Sequence, residues 1–142
     1  MQEGDKARVF YPFFKGQLMI TTKRVYESVS ATDGYRVLID RLWPRGVKKA
    51  GLPYDEWNKS VAPSTELRKW FHQHSDQFEQ FSQRYMAELQ HCPAAWWPLV
   101  EKAQHGHLTL LYAAKDIRHN HAKVLKLFLE EQIKQQTVQK IE

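Results

Sequence analysis

The segment Arg41-Leu42-Trp43-Pro44-Arg45-Gly46 gathers the side chains best suited to hold an anion. Each of its two guanidinium groups can grip a carboxylate or phosphate through paired N–H donors. Trp43 between them offers a ring to stack on a base, and Gly46 lets the backbone come close to a ligand. The competing reading is structural: Trp43-Pro44 plugs the core, and one arginine pairs with Asp40 or Asp116. A second cluster, Lys115-Asp116 followed by His119-Asn120-His121, places a carboxylate, an amide and a proton carrier at a strand-to-helix junction. His121 is the candidate general acid or base, since imidazole titrates near neutrality, with Asp116 to orient it. Lys115 and Asn120 are candidate ligand contacts, assisted by the open N–H groups of a helix start. Asp116 or Asn120 acting only as a helix cap is the alternative.

These residues must be positioned by their elements. Met19–Tyr26 alternates and is rich in β-branched and aromatic residues, which predicts a strand. Tyr35–Asp40 has the continuous apolar centre of a strand buried on both faces, and so does Leu108–Ala114. Between them the pattern is helical. A short helix is expected over Asp55–Ser60, a second after the N-cap Ser64, and a longer one capped by Ser75. A further short helix carries Trp96 and Trp97, with Pro98 in or near its first turn and Gly106 as C-cap. A last amphipathic helix carries Val124, Leu125, Phe128 and Ile133. This order predicts a single-domain layered α/β fold with a small, mostly parallel, Rossmann-like sheet flanked by helices. In such sheets ligands bind beyond the carboxyl ends of the strands. That rule brings Asp40–Gly46 and Lys115–His121 to one edge if their strands are parallel, with Lys23 and Arg24 able to join from the first strand.

Composition narrows the classes. The chain has 142 residues, 42% hydrophobic and 13% aromatic, enough for one folded domain and too apolar for a disordered chain. Twenty-one basic against 16 acidic residues give +5, which favours anionic partners without the dense basic stripe of a dedicated nucleic-acid binder. Residues 1–18 read as an N-terminal leader or arm ahead of a domain over 19–142. That segment carries three basic and two acidic residues, so 18 basic and 14 acidic residues, +4, belong to the domain. It lacks the apolar region of a signal peptide, and no run approaches the ~20 apolar residues of a membrane span. With Cys92 as its sole cysteine the chain has no internal disulfide, and a cytoplasmic protein without membrane partners is expected. The pairs His72/His74, His105/His107 and His119/His121 are spaced by two, which separates side chains on a helix. No thiolate or carboxylate completes them in the manner of a structural metal site, so neither metal nor cofactor is expected.

Several stretches together resemble the domain-of-unknown-function 488 family, in its YeaO-like branch. They are Lys23–Tyr26, Asp33–Gly46, Ala62–Arg68, and Leu110–Asp116 with Asn120-His121-Ala122, and the resemblance spans Met19 to about Leu129. It implies an α/β fold and a set of signature residues, with no established activity. Another branch of that family carries Cys-Ala-Glu and a later Cys-His-Arg at the end of the third strand. Here Tyr112, Ala114, Asn120 and Ala122 stand at the Cys, Glu, Cys and Arg places, and only His121 remains, so thiol chemistry is not carried over.

Three functions stay open at this point. One is an enzyme on a small phosphorylated or nucleotide-like substrate, with Arg41, Trp43 and Arg45 binding and Asp116 and His121 moving protons. Another is a non-catalytic module for a nucleotide or nucleic-acid strand, using the same arginines with Lys23, Lys48 and Lys49. The last is an interaction protein, a homo-oligomer among the options, in which the arginine elbow is structural and the Trp96-Trp97 surface is functional.

Overall fold

A computed structural model describes residues 19–141, with side chains through residue 136; the expected leader or arm, residues 1–18, lies outside the described residues. Four strands, β1 (Ile20–Arg24), β2 (Tyr35–Leu38), β3 (Glu56–Trp57) and β4 (Leu108–Tyr112), form one sheet in the order β1-β4-β2-β3. All three pairings are parallel. Four helices accompany it among the described residues: α1 (Thr65–Gln73), α2 (Phe78–Gln90), α3 (Pro93–His105) and α4 (His121–Ile141). The chain is thus a single-domain α/β fold, and its sheet is wholly parallel among the described residues. No helix among the described residues is long and apolar enough to cross a membrane.

Side chains alternate across a strand, and here the alternation separates two cores. Ile20, Val37, Ile39, Leu108, Leu110 and Tyr112 point to the face where the helices pack. They join Leu67, Tyr85, Leu89, Leu99, Leu125 and Phe128 in the larger cluster. Leu38 and Leu111 point the other way, meeting Val25, Leu52, Trp43 and Val47 from the connecting segments and Trp57 of β3. That second face also holds a buried polar knot. The Asp33 carboxylate accepts from Lys23 Nζ (3.1 Å), from the Ser30 N–H (3.0 Å) and from Arg36 Nη1. Arg36 Nε donates to the Pro53 carbonyl (2.7 Å), and the Thr109 hydroxyl donates to the Asp33 carbonyl (2.6 Å). Burial pushes the Asp33 carboxyl up, but the Ser30 N–H and the two cations outweigh it, leaving the group below its usual value.

Three local expectations are corrected by packing. Asp55–Ser60 is not a helix: Glu56–Trp57 pairs with Val37 and Leu38, and a 3-10 turn follows over Lys59–Val61. The Asp55 and Asn58 N–H groups each reach a β2 carbonyl at 2.8 Å, which a helix this short, with its costly nucleus, cannot match. The longer helix starts at Phe78 and not after Ser75, with Phe78 stacked on Phe81 and tilted against Phe71. Pro98 lies inside α3, whose first residue is Pro93. The helix survives the missing N–H because Trp96, Leu99, Val100 and Ala103 are buried around it, while Trp97 faces out. Ser64 does cap α1, accepting from the Leu67 N–H at 3.1 Å.

Gly34 is required by geometry on two counts. Its φ is +66°, and a Cβ there would collide with the His107 carbonyl oxygen, which the Tyr35 N–H holds at 2.9 Å. Gly34→Ala should therefore lower unfolding stability by about 2–4 kcal/mol, read from urea melts. Asp33→Asn strands the buried Arg36 and the half-buried Lys23 and should cost roughly 3–5 kcal/mol at neutral pH. Because the folded carboxyl is held below its unfolded value, its stabilisation is present above about pH 4 and fades as the pH falls through the folded value. Melts of the native protein and the Asn variant should then converge on the acid side.

Candidate functional site

Parallel pairing of β2 with β4 brings the ends of both strands to one edge, and a single carboxylate joins them. Asp40, two residues past β2, accepts from the Ala113 N–H through Oδ2 (3.0 Å). Its Oδ1 lies 2.9 Å from His121 Nε2, within ion-pair distance but without the alignment of a hydrogen bond. Both of these atoms are shielded from solvent and have no other partner among the described residues. The Asp40 carbonyl takes the Trp57 indole N–H (2.7 Å), tying in the end of β3. Asp40 thus holds the ends of β2, β3 and β4 and the start of α4.

The elbow that follows divides its side chains between structure and surface. Arg41 turns back to the segment before α1, donating from Nη2 to the Ala62 carbonyl and from Nε and Nη2 to that of Pro63, each at 3.3 Å. The same segment is gripped by the buried Tyr85 hydroxyl, which donates to the Val61 carbonyl, and by Glu88, which accepts from Ser64 N (2.9 Å) and Oγ (2.6 Å). Burial, foremost, pushes the Tyr85 phenol well above its ordinary value, so it stays a donor. Trp43 folds onto its own loop. Its indole N–H donates to the Val47 carbonyl (2.6 Å), and its ring meets Tyr54 and Trp57 edge-on at 5.6 and 5.3 Å. Pro44 is buried and Arg45 exposed. Gly46 has φ +76°, a left-handed conformation that glycine adopts without strain.

The loop after β4 is organised by its own residues. Asp116 accepts the N–H groups of Arg118 (2.9 Å) and His119 (3.0 Å), and its second oxygen lies 3.2 Å from His119 Nδ1. Those two N–H bonds, ahead of His119 itself, hold its carboxyl below the usual value. Asp116 therefore faces His119, and the carboxylate beside His121 is Asp40. Asn120 is buried, donates to the Asp116 carbonyl (2.8 Å) and accepts from the Lys123 N–H (3.1 Å), which caps α4. Lys115 and Arg118 are exposed. His119 and His121 turn to different partners, and Lys23 is engaged on Asp33 at the second face.

One residue at this edge escaped the motif reading, Tyr26, which acts together with Arg24, the residue expected to join from the first strand. Arg24 donates to the carbonyls of Ala114 (2.9 Å) and Ala113 (3.2 Å), and its guanidinium lies 4.8 Å from the centre of the Tyr26 ring. The Tyr26 hydroxyl donates to the Arg45 carbonyl at 2.9 Å. Contacts thus run unbroken from the β2 loop through the β1 end to the β4 loop. Asp40 had a legible signal, a carboxylate closing a buried apolar run; Tyr26 had none beyond its place at a strand end. A solvent-open cleft of about 470 Å³ lies elsewhere, between residues 56–60 and Ala94, Ala95 and Pro98, and includes none of these groups.

A parallel α/β domain whose strand-end loops gather on one edge is the class of protein that fold and site define. Residues 19–142 match the model described as the inactive DUF488-N3 subclade, and the chain belongs to that family. It is similar to the uncharacterized protein YeaO of Escherichia coli (strain K12), 49% identical over 106 residues, covering 75% of this chain and 92% of the relative. It is also similar to the uncharacterized protein Rv3073c of Mycobacterium tuberculosis (strain ATCC 25618 / H37Rv), 39% identical over 110 residues, covering 78% and 92%. No solved structure gives a significant match.

The Arg41 side chain binds protein carbonyls, so Arg41→Ala should act on stability. A loss of about 1–3 kcal/mol in urea unfolding is expected. Arg41→Lys should recover only part of it, because one ammonium does not reproduce the planar fork that spans both carbonyls.

Proposed function

We propose that this protein is a non-catalytic module that binds a phosphate-bearing anion of nucleotide type on the carboxyl edge of its sheet. The observation that carries the reading is a set of exposed cations, Arg45, Lys115 and Arg118, on loops stitched together by Tyr26 and Arg24. Their side-chain charges have no carboxylate partner among the described residues, whereas Lys23, Arg36 and Lys126 each have one. Cations held on a stiff framework and not ion-paired are the groups an anionic ligand neutralises. The backbone N–H groups at the start of α4 lie in the same region.

The same geometry argues against acid–base catalysis by Asp116 with His121. Nε2 of His121 is shielded and turned to Asp40, and Asp116 is committed to its own loop. The Cys, Glu, Cys and Arg places of the other branch are filled by Tyr112, Ala114, Asn120 and Ala122, none of them a thiol, a carboxylate or a cation. The description of the matching subclade as inactive agrees with this. In this reading Lys115, Arg45 and the N–H groups near Asn120 contact the ligand. Arg41, Trp43 and His121 shape the edge, and Gly46 supplies the turn.

Fluorescence anisotropy of a short labelled oligothymidylate, with inorganic polyphosphate as competitor, tests the proposal. Three phosphate contacts predict a slope of about −2 to −3 in log K against log salt. The double variant Arg45→Glu/Lys115→Glu should lose binding while keeping its melting temperature. A flat salt response, or undiminished binding by the double variant, sinks the reading.

A further inference from the structure

We propose that Tyr26 is a base-stacking platform, so that the anion taken at the carboxyl edge is a single-stranded nucleic acid; this rests on the reading of that edge given above. Tyr26 is 50% exposed, yet it is not loose. Its hydroxyl is tethered to the Arg45 carbonyl at 2.9 Å. The Arg24 guanidinium sits 4.8 Å from the ring centre and is itself fixed by the Ala113 and Ala114 carbonyls. The ring is therefore held before any ligand arrives, and little rotamer freedom is left to lose on binding.

Its surroundings select the ligand. The residue that anchors the hydroxyl, Arg45, carries an exposed cation, and Lys115 follows the carbonyl that anchors Arg24. An aromatic ring tied through its contacts to two loops that carry exposed cations is the combination that binds a single strand, with bases stacking while the backbone tracks the charge. Trp43, the other ring on the edge, is taken up by Val47, Tyr54 and Trp57 and leaves this role to Tyr26. Leu42 and Ile117, both more than half exposed, give apolar contact to neighbouring bases. Duplex DNA keeps its base faces stacked on one another, so it gains nothing from this ring.

Four proteins decide it: native, Tyr26→Leu, Tyr26→Phe and Tyr26→Trp, each checked by its melting curve. Anisotropy is read with labelled oligothymidylate, and competition with inorganic polyphosphate. Tyr26→Leu should weaken the oligonucleotide roughly ten-fold, with the salt slope and polyphosphate affinity unchanged. Tyr26→Phe and Tyr26→Trp keep a ring and should stay within about three-fold of native, which separates stacking from the hydroxyl tether and from misfolding. Equal oligonucleotide binding by the Leu variant overturns the proposal, as does an equal loss of polyphosphate. Binding to phosphatidylglycerol vesicles without binding to the oligonucleotide overturns it in favour of a lipid surface. If native protein binds neither oligonucleotide nor polyphosphate, the anion-binding reading of the edge fails as well.

Discussion

Asp40 is the point on which the carboxyl edge depends. A parallel sheet leaves the last N–H and carbonyl groups of its strands open at the ends, and these need partners when they lie close to the core. Asp40 supplies several at once. One oxygen takes the N–H beyond β4, the other meets His121 at the start of α4, and its carbonyl takes the Trp57 indole. The long helix is thereby fixed relative to the sheet at the spot where its first N–H groups emerge. The loops that leave this point inherit their directions from it.

Around that hub the fold uses its two faces differently. The helix-covered face is a broad apolar cluster that supplies most of the buried surface. The opposite face is closed by connecting segments with a small apolar patch and the Lys23–Asp33–Arg36 knot. Parallel strands of one sheet are usually joined through a helix, but residues 25–34 carry the chain from β1 across β4 to β2 with a 3-10 turn alone. The knot and the close approach at Gly34 hold this short crossover against β4.

The edge shows how one motif is divided between architecture and surface. Arg41 and Trp43 are consumed by the fold: one clamps the approach to α1, and the other fills the smaller core. Arg45 is left outside, two residues further along, because Pro44 is buried and Gly46 turns the chain. Arg24 completes the surface from a strand far in sequence from the β4 loop it touches, and Tyr26 ties it to the Arg45 carbonyl. In the reading proposed above, the chemistry of that surface is recognition by charge and stacking.

Residue pattern alone determined the elements that bury the most apolar side chains. The runs at Tyr35–Asp40 and Leu108–Ala114, the Ser64 cap and the spacing of Phe81, Tyr85 and Leu89 are local signals, and local energies enforce them. The basic edge was legible too, since parallel strands send their following loops the same way. Where local preference was weak, tertiary contact decided. Asp55–Ser60 became strand and turn because β2 offered it hydrogen bonds, and Pro98 entered a helix because its neighbours were buried. Side-chain partners were beyond the sequence for the same reason. Asp116 and Asp40 are equally plausible companions for His121 by residue type, and only the crossing of α4 over the strand ends brings one of them to 2.9 Å. Which arginine holds the protein together and which faces solvent depends on carbonyls more than 20 residues away, and that distance closes only in the folded chain.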